Sequence, residues 1–160
     1  MPVGWSLGLG APVDPANLAG VVDFQPIVPP RGTVGSPTGA WVLDGRLSLI
    51  WPVRSGTPAT ADRDIGLLLT EFRGSIDPGY FQKIIGPNTR VTPVTVGGGT
   101  GYWVSGDPHE IVFVDPSGRP DFDSRQSIGD TLLWTRGDVT LRLESGLDQV
   151  HAIALAESMR

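Results

Sequence analysis

Glycine and proline recur so often along this chain that only short elements of secondary structure fit between them. The 160 residues include 22 glycines and 15 prolines, against a usual combined share of about 12%. Proline removes a backbone hydrogen-bond donor and glycine tolerates tight turns, so both favour frequent changes of chain direction. We therefore expect many turns between short strands.

Length, charge and cysteine content restrict the class of protein. A chain of 160 residues predicts one domain with one core, and we expect residues 1–13 to be a loosely ordered segment ahead of it. The net charge of −5 and the 12 scattered basic residues argue against a nucleic-acid partner, because phosphate binding needs clustered cations. With no cysteine, disulfides, thiolate metal ligands and a cysteine nucleophile are excluded.

Three turn signals predict hairpins. Asp44-Gly45 separates residues 40–43 from 46–53 and suits a type I′ turn. The glycine run at 97–99 precedes a strand rather than a helix, which favours a turn over a phosphate-binding loop. Gly137 marks the third turn, and after it Val139, Leu141 and Leu143 alternate with Thr140, Arg142 and Glu144. This alternation predicts a strand with one solvated face.

The remaining elements complete an α+β fold. Residues 65–72 are apolar on both faces and predict a central strand, while residues 24–36 predict extended chain. Helix punctuation at 14–20 and 77–87 predicts two short helices. The helical spacing of Leu147, Val150, Ala154 and Leu155 predicts the inward face of a C-terminal amphipathic helix. We expect a single antiparallel sheet of about six to eight strands, with the helices mainly on one face and the other face partly solvated.

Candidate chemistry concentrates around His109, with Asp107 and Glu110 beside it. If residues 109–115 form a strand, alternation places His109 and Glu110 on opposite faces. A metal site needs three or four converging ligands, and the chain has two histidines. We therefore expect no catalytic site, no metal and no cofactor; a hydrolase using His109 with Asp107 or Glu110 is the less favoured alternative.

Two further polar features receive a structural interpretation. Asp115, Asp121, Asp123 and Asp130 have a spacing that calcium sites use, but the twelve-residue EF-hand pattern is absent. We expect ordinary polar decoration of a loop there. His151 lies beside the apolar arc of the C-terminal helix, where a boundary histidine bonded to backbone is the favoured interpretation.

Aromatic residues supply the candidate binding surface. Flat rings stack on sugars and on apolar ligands, and the chain has five tryptophans. The candidate binding surface comprises Trp41, Trp51, Tyr102, Trp103 and His109. In one alternative, Trp41, Trp51 and Trp103 line a cavity for an apolar molecule.

Several motifs resemble a known kind of domain. They are LLLTEFRG at 67–74, the Tyr102-Trp103 hairpin with its Gly-Asp-Pro-His turn at 106–109, the strand at 131–134 and the closing Glu157-Ser158-Met159-Arg160. Together they resemble a bacterial extracytoplasmic domain at the C-terminus of membrane-anchored, anti-sigma-factor-like proteins. Asp130 and Met159 depart from its pattern, which has asparagine and leucine there.

The resemblance implies a location and a general role. It implies an upstream transmembrane helix and a domain outside the cytoplasm, and it supplies no catalytic residues. The function expected is a non-enzymatic sensory or protein-interaction domain whose partner is an envelope protein or a small ligand. The alternative is a lipoprotein-like module that binds a hydrophobic ligand.

Overall fold

The computed structural model describes residues 7–76, 87–123 and 125–159. The strands are β1 Ala11–Val13, β2 Gly39–Leu43, β3 Arg46–Trp51, β4 Leu67–Arg73, β5 Ser75–Ile76, β6 Thr89–Val96, β7 Gly99–Gly106, β8 Ile111–Val114, β9 Pro120–Asp123, β10 Asp130–Arg136 and β11 Val139–Ser145. The helices in these residues are α1 Arg31–Val34 and α2 Gln149–Ser158.

Eight of the strands form one antiparallel sheet in the order β1-β2-β3-β4-β11-β10-β7-β6. The other three form a smaller sheet in the order β5-β8-β9. The α+β class and the large antiparallel sheet are as predicted, and the smaller sheet was not expected. β4 lies inside the large sheet between β3 and β11, as its apolar sequence indicated.

The three predicted hairpins are present. Asp44 and Gly45 have φ of 50° and 78°, the pair of positive values that a type I′ turn requires. Gly97 and Gly98, with φ of 56° and 85°, connect β6 to β7. Gly137, with φ of 63°, lies in the turn between β10 and β11. These turns were predictable because their chemistry is local.

One side of the large sheet, the helix face, is apolar. Along it Leu49, Leu69, Leu143, Leu132 and Trp103 are successive cross-strand neighbours in one core cluster. Helix α2 covers the part of this face near β10 and β6. The part near β3 is covered by residues 14–37, here called the strap, whose apolar side chains pack on the same cluster.

The other side, here called the opposite face, is buried along β11, contrary to the prediction for that strand. It is partly solvated, as expected of the sheet, near its β6 edge, where Pro93 and Thr95 are exposed. Ser48, Thr70, Arg142, Leu133 and Tyr102 are its successive cross-strand neighbours. Thr140, Arg142 and Glu144 of β11 are fully buried. Phe113 of the smaller sheet packs against Phe72 at a ring-centroid distance of 4.2 Å. Alternation along β11 did not predict this burial, because the charged side chains of that strand pair with each other and with Arg125.

The short helices differ from the prediction. Residues 14–20 form turns, in which Asp14 Oδ1 accepts a hydrogen bond from Ala16 N at 2.9 Å; such an aspartate competes with helix formation. Helix α1 lies instead in the stretch predicted to be extended, directly after Pro30, and it ends at Gly35, whose φ is 76°. The helix predicted for residues 77–87 lies, up to residue 86, outside the described residues.

The N-terminal residues that the structure describes belong to the fold. Leu9 is buried in a core cluster with Trp41 and Ile50. Strand β1 pairs with β2 at the edge of the large sheet. The segment expected to be loosely ordered is therefore packed from residue 9 onward.

Helix α2 is present, and its buried side matches the prediction at Leu155 but not at Val150 or Ala154, which are exposed. Ala152, Leu155 and Ala156 are buried, whereas Val150 is 73% exposed. Small alanines let the helix approach the sheet closely, which the apolar spacing did not reveal. Among the described residues no helix is long and apolar enough to cross a membrane.

The N-terminus of α2 is capped by Asp148. Its Oδ1 accepts hydrogen bonds from His151 N at 2.9 Å and from the His151 ring at 2.7 Å. His151 was predicted to be a boundary residue bonded to the backbone, but its side chain is 71% exposed and its ring bonds a carboxylate instead.

Substituting Asp148→Ala is expected to lower the free energy of unfolding by about 1 kcal/mol, because a helix N–H loses its acceptor. Urea denaturation at pH 7 measures this change. Asp107→Ala, at an exposed aspartate that caps no helix, is the matched control. Equal losses in the two variants would show that the cap contributes nothing specific.

Candidate functional site

The five residues of the predicted binding surface are not brought together. Trp51 and Trp103 belong to the helix-face core. Trp41 and Tyr102 pack into two clusters on the opposite face, and His109 is only 5% exposed. These side chains therefore do not form one surface.

His109 lies in the loop before β8, not in a strand. Its backbone N donates to Ser127 Oγ at 3.0 Å, Ser127 N donates to its carbonyl at 2.9 Å, and its Nδ1 is 3.0 Å from the same Oγ. Burial, followed by the positive charge of Arg142, lowers the pKa of His109 to about 4. The imidazole is therefore neutral at pH 7.

The carboxylates beside His109 are directed to solvent. Asp107 and Glu110 are both exposed, and Glu110 Oε1 accepts a hydrogen bond from Gln126 Nε2 at 3.1 Å. Ser127, which the sequence did not single out, does contact the ring, but both side chains are buried. A nucleophile must contact its substrate, so this pair has the geometry of a structural link between two loops.

A charged cluster explains the burial of polar side chains on the opposite face. Glu144 is fully buried, and its two oxygens accept hydrogen bonds from Arg125 at 2.9 and 2.6 Å and from Ile128 N at 3.1 Å. Its Oε2 is 3.4 Å from Arg142 Nε. Burial alone would raise the pKa of Glu144, but the charges of Arg142 and Arg125 outweigh it and lower that pKa.

Two aspartates of the suspected ion-binding loop, Asp115 and Asp130, have structural partners. Asp115 Oδ1 accepts hydrogen bonds from Ser117 N, Ser117 Oγ and Arg119 N within the β8–β9 turn. Asp130 Oδ1 accepts one from Gly106 N at 3.3 Å. Within the described part of the chain, no three His, Asp or Glu side chains form a group that could hold a metal ion.

Glu71 is the most unusual ionisable group of the helix face. In register it lies between Leu47 of β3 and Leu141 of β11, and it is fully buried. Its Oε1 accepts a hydrogen bond from Ile27 N of the strap at 2.7 Å, and its Oε2 has no partner among the described residues. Burial raises the pKa of Glu71 to about 8, although the Ile27 bond and the charge of Arg136 act to lower it.

A cavity of about 240 Å³ lies between the strap and β3. Its walls are mostly apolar, and they comprise Pro15, Ala16, Leu18, Ala19, Gln25, Pro26, Val28, Pro29, Arg31, Gly35, Pro37, Leu49 and Trp51. Trp51 is buried and is held in place by a hydrogen bond from its Nε1 to the Gly35 carbonyl at 3.2 Å. Of the three tryptophans predicted to line one cavity, only Trp51 lines this one.

Individual contacts hold the strap over the sheet. Besides the bond from Ile27 to Glu71, Arg54 Nη1 donates to the Val34 carbonyl at 3.2 Å. Arg73 pairs with Asp23 through its Nε at 3.1 Å and also contacts Asp138. The strap contains no strand of either sheet. The cavity wall that it forms is therefore held by contacts with side chains and not by backbone hydrogen bonds between strands.

The fold and this cavity define a mainly β domain of the α+β class with one candidate ligand-binding site between an irregular strap and the sheet. Comparisons with protein-family models, with curated proteins and with solved structures found no match for the chain.

Proposed function

We propose that this chain is a non-enzymatic binding domain that takes up a small, largely apolar molecule in the cavity beneath the strap. The observation that carries the proposal is the cavity of about 240 Å³ with Trp51 among its lining residues. An apolar cavity of about 150 Å³ can bind benzene. A molecule of about ten non-hydrogen atoms therefore suits the volume.

The position of the cavity suits a sensory role. A ligand there contacts both the strap and β3, so its binding energy adds to the packing and hydrogen bonds that hold the strap. A ligand that binds one arrangement of the strap better than another shifts the population toward that arrangement. The strap is thus the element through which occupancy is reported to a partner protein.

The setting of the domain is part of the proposal. The motifs at 67–74, 102–109 and 131–134 resemble an extracytoplasmic domain of membrane-anchored bacterial proteins. We place the chain there, outside the cytoplasm, with an envelope protein as the partner that senses the strap. His109 is buried while Asp107 and Glu110 are exposed, so the three side chains do not converge on one site, and this favours binding over hydrolysis.

Titration with two neutral probes, phenylacetamide and hexanamide, tests the binding site. With about ten and about eight non-hydrogen atoms respectively, they are expected to bind with dissociation constants of ~1 mM. In two-dimensional ¹H–¹⁵N NMR spectra, the shifted amides should be those of Val28, Leu49 and Trp51. Shifts scattered over the surface, or none at 10 mM probe, would contradict the proposal.

Filling the cavity provides a second test. Ala19 lines the cavity, and Ala154 is an exposed alanine on α2. Ala19→Phe is expected to weaken both probes at least tenfold by occupying their space, while Ala154→Phe leaves their affinities unchanged. Equal binding by the two variants would place the probes elsewhere.

A further inference from the structure

We infer that the ligand of this cavity is a small monocarboxylic acid, whose carboxylate pairs with Arg31 while its apolar part lies against Trp51 and Leu49. This inference rests on the proposed function and names the chemical class of the ligand. It begins from the charges around the cavity. Among the described residues that line the cavity, Arg31 is the one ionisable side chain, and none is an aspartate or glutamate.

The two acids of the strap, Asp14 and Asp23, have other partners. Asp14 Oδ1 accepts the hydrogen bond from Ala16 N within its own turn. Asp23 pairs with Arg73. The positive charge of Arg31 is therefore presented at the cavity within a protein whose net charge is −5. A ligand anion supplies the complementary charge.

The hydrogen-bonding groups also favour a carboxylate. An arginine guanidinium offers parallel N–H donors that match the two oxygens of a carboxylate. Gln25 lines the same cavity, and its amide can donate to a remaining lone pair. A single cation matches a monoanion better than a phosphate ester, which carries nearly two negative charges at pH 7.

The apolar part of the site limits the rest of the ligand. Leu18, Val28, Leu49 and Trp51 line the cavity together with four prolines, Pro15, Pro26, Pro29 and Pro37. This lining offers no further charged partner, so a second carboxylate or an ammonium group on the ligand would lose its hydration without compensation. A compact aromatic ring or a short aliphatic chain fits both the lining and the volume.

Matched acid and amide probes test the inference directly. Phenylacetate and hexanoate have nearly the same shape as phenylacetamide and hexanamide but are anionic at pH 7. In isothermal titration calorimetry or NMR titration, each acid is expected to bind about tenfold more tightly than its amide. Added salt should weaken the acids and leave the amides unchanged, because salt screens an exposed ion pair.

Arg31 variants assign the effect to one side chain. Arg31 is exposed, so Arg31→Gln is expected to fold, to weaken the acids about tenfold and to change the amides less than twofold. Arg31→Lys should retain part of the preference because the charge remains. Arg63→Gln, at an exposed arginine outside the cavity, is the control for net charge.

The possible outcomes separate this inference from the proposed function. If amides bind in the cavity as tightly as acids, the carboxylate is not recognised, and the inference fails while the proposed function stands. If Arg31→Gln weakens acids and amides equally, Arg31 only shapes the site, and the inference fails again. If none of the four probes binds, the inference and the proposed function are both overturned.

Discussion

Replacing Glu144 with glutamine is expected to lower the free energy of unfolding by about 3–5 kcal/mol at pH 7, because breaking a buried ion pair leaves uncompensated charge. Glutamine preserves the shape of the side chain and removes its charge. Two guanidinium groups then lose the carboxylate with which they pair. They belong to Arg142, which is 0% exposed, and to Arg125, which is 11% exposed. Urea denaturation followed by tryptophan fluorescence measures the loss.

The control is the same substitution at the exposed Glu110. Glu110→Gln removes a charge that faces solvent, and surface pairs contribute about 0–1 kcal/mol. A small loss in Glu144→Gln, equal to that of the control, would mean that the cluster on the opposite face is not held by its charges. Because the pKa of Glu144 is lowered in the folded state, its contribution is present above its unfolded pKa and is lost as pH falls through the folded value.

Substituting Glu71→Gln is expected to have the opposite sign and to raise the free energy of unfolding by roughly 3 kcal/mol at pH 7, at 1.36 kcal/mol per pKa unit. Burial raises the pKa of Glu71 from 4.5 to about 8. Between these pH values the folded chain keeps a proton that the unfolded chain releases, so stability falls as pH rises. Glutamine has no proton to lose, and it can still accept the hydrogen bond from Ile27.

The pH dependence distinguishes this mechanism from a general improvement in packing. The difference between Glu71→Gln and the unmodified chain should be near zero at pH 4.5, grow through pH 7 and level off above pH 8. Denaturation curves at four pH values measure it. A difference that is constant with pH, or a loss of stability, would show that the folded chain does not hold Glu71 neutral.

His109 makes the free energy of unfolding depend on pH in the opposite direction. Its pKa falls from 6.5 to about 4 on folding, so the unfolded chain binds more protons below pH 6.5 and stability falls on acidification. In the unmodified chain the slopes from Glu71 and His109 oppose each other between about pH 4.5 and 6.5. Glu71→Gln should therefore leave the His109 slope visible in that range and move the region of maximum stability above pH 6.5.

Features that depend on neighbouring residues could be predicted from the sequence, whereas features that depend on contacts between distant segments could not. The turn at Asp44-Gly45 depends on two neighbouring residues, and it forms as expected. Glu144 is buried in a pair with Arg125, and Phe113 of β8 packs on Phe72, Val104 and Leu133 of the same face; both partners come from elsewhere in the chain. Alternation along one strand gives the side on which a residue lies, and it contains no information on what covers that side.

The candidate site was missed for a similar reason. The cavity exists because residues 14–37 lie over β3, yet a proline-rich stretch without hydrophobic periodicity predicts only a loop. For Glu71 a signal was present. It is two residues beyond Leu69, so strand alternation already places it on the same face as Leu67 and Leu69.

The position of β11 has a consequence for how the chain folds. β11 lies between β4 and β10, and β10 lies between β11 and β7. The strands before residue 77 and the hairpin at 89–106 therefore join into one sheet only when residues 130–145 insert between them. During synthesis the edge of β4 that pairs with β11 stays unpaired until residues 139–145 have been made. Pairing between strands so far apart in the sequence is slow. Assembly of this domain is thus a late and cooperative event, in which the C-terminal hairpin closes the sheet.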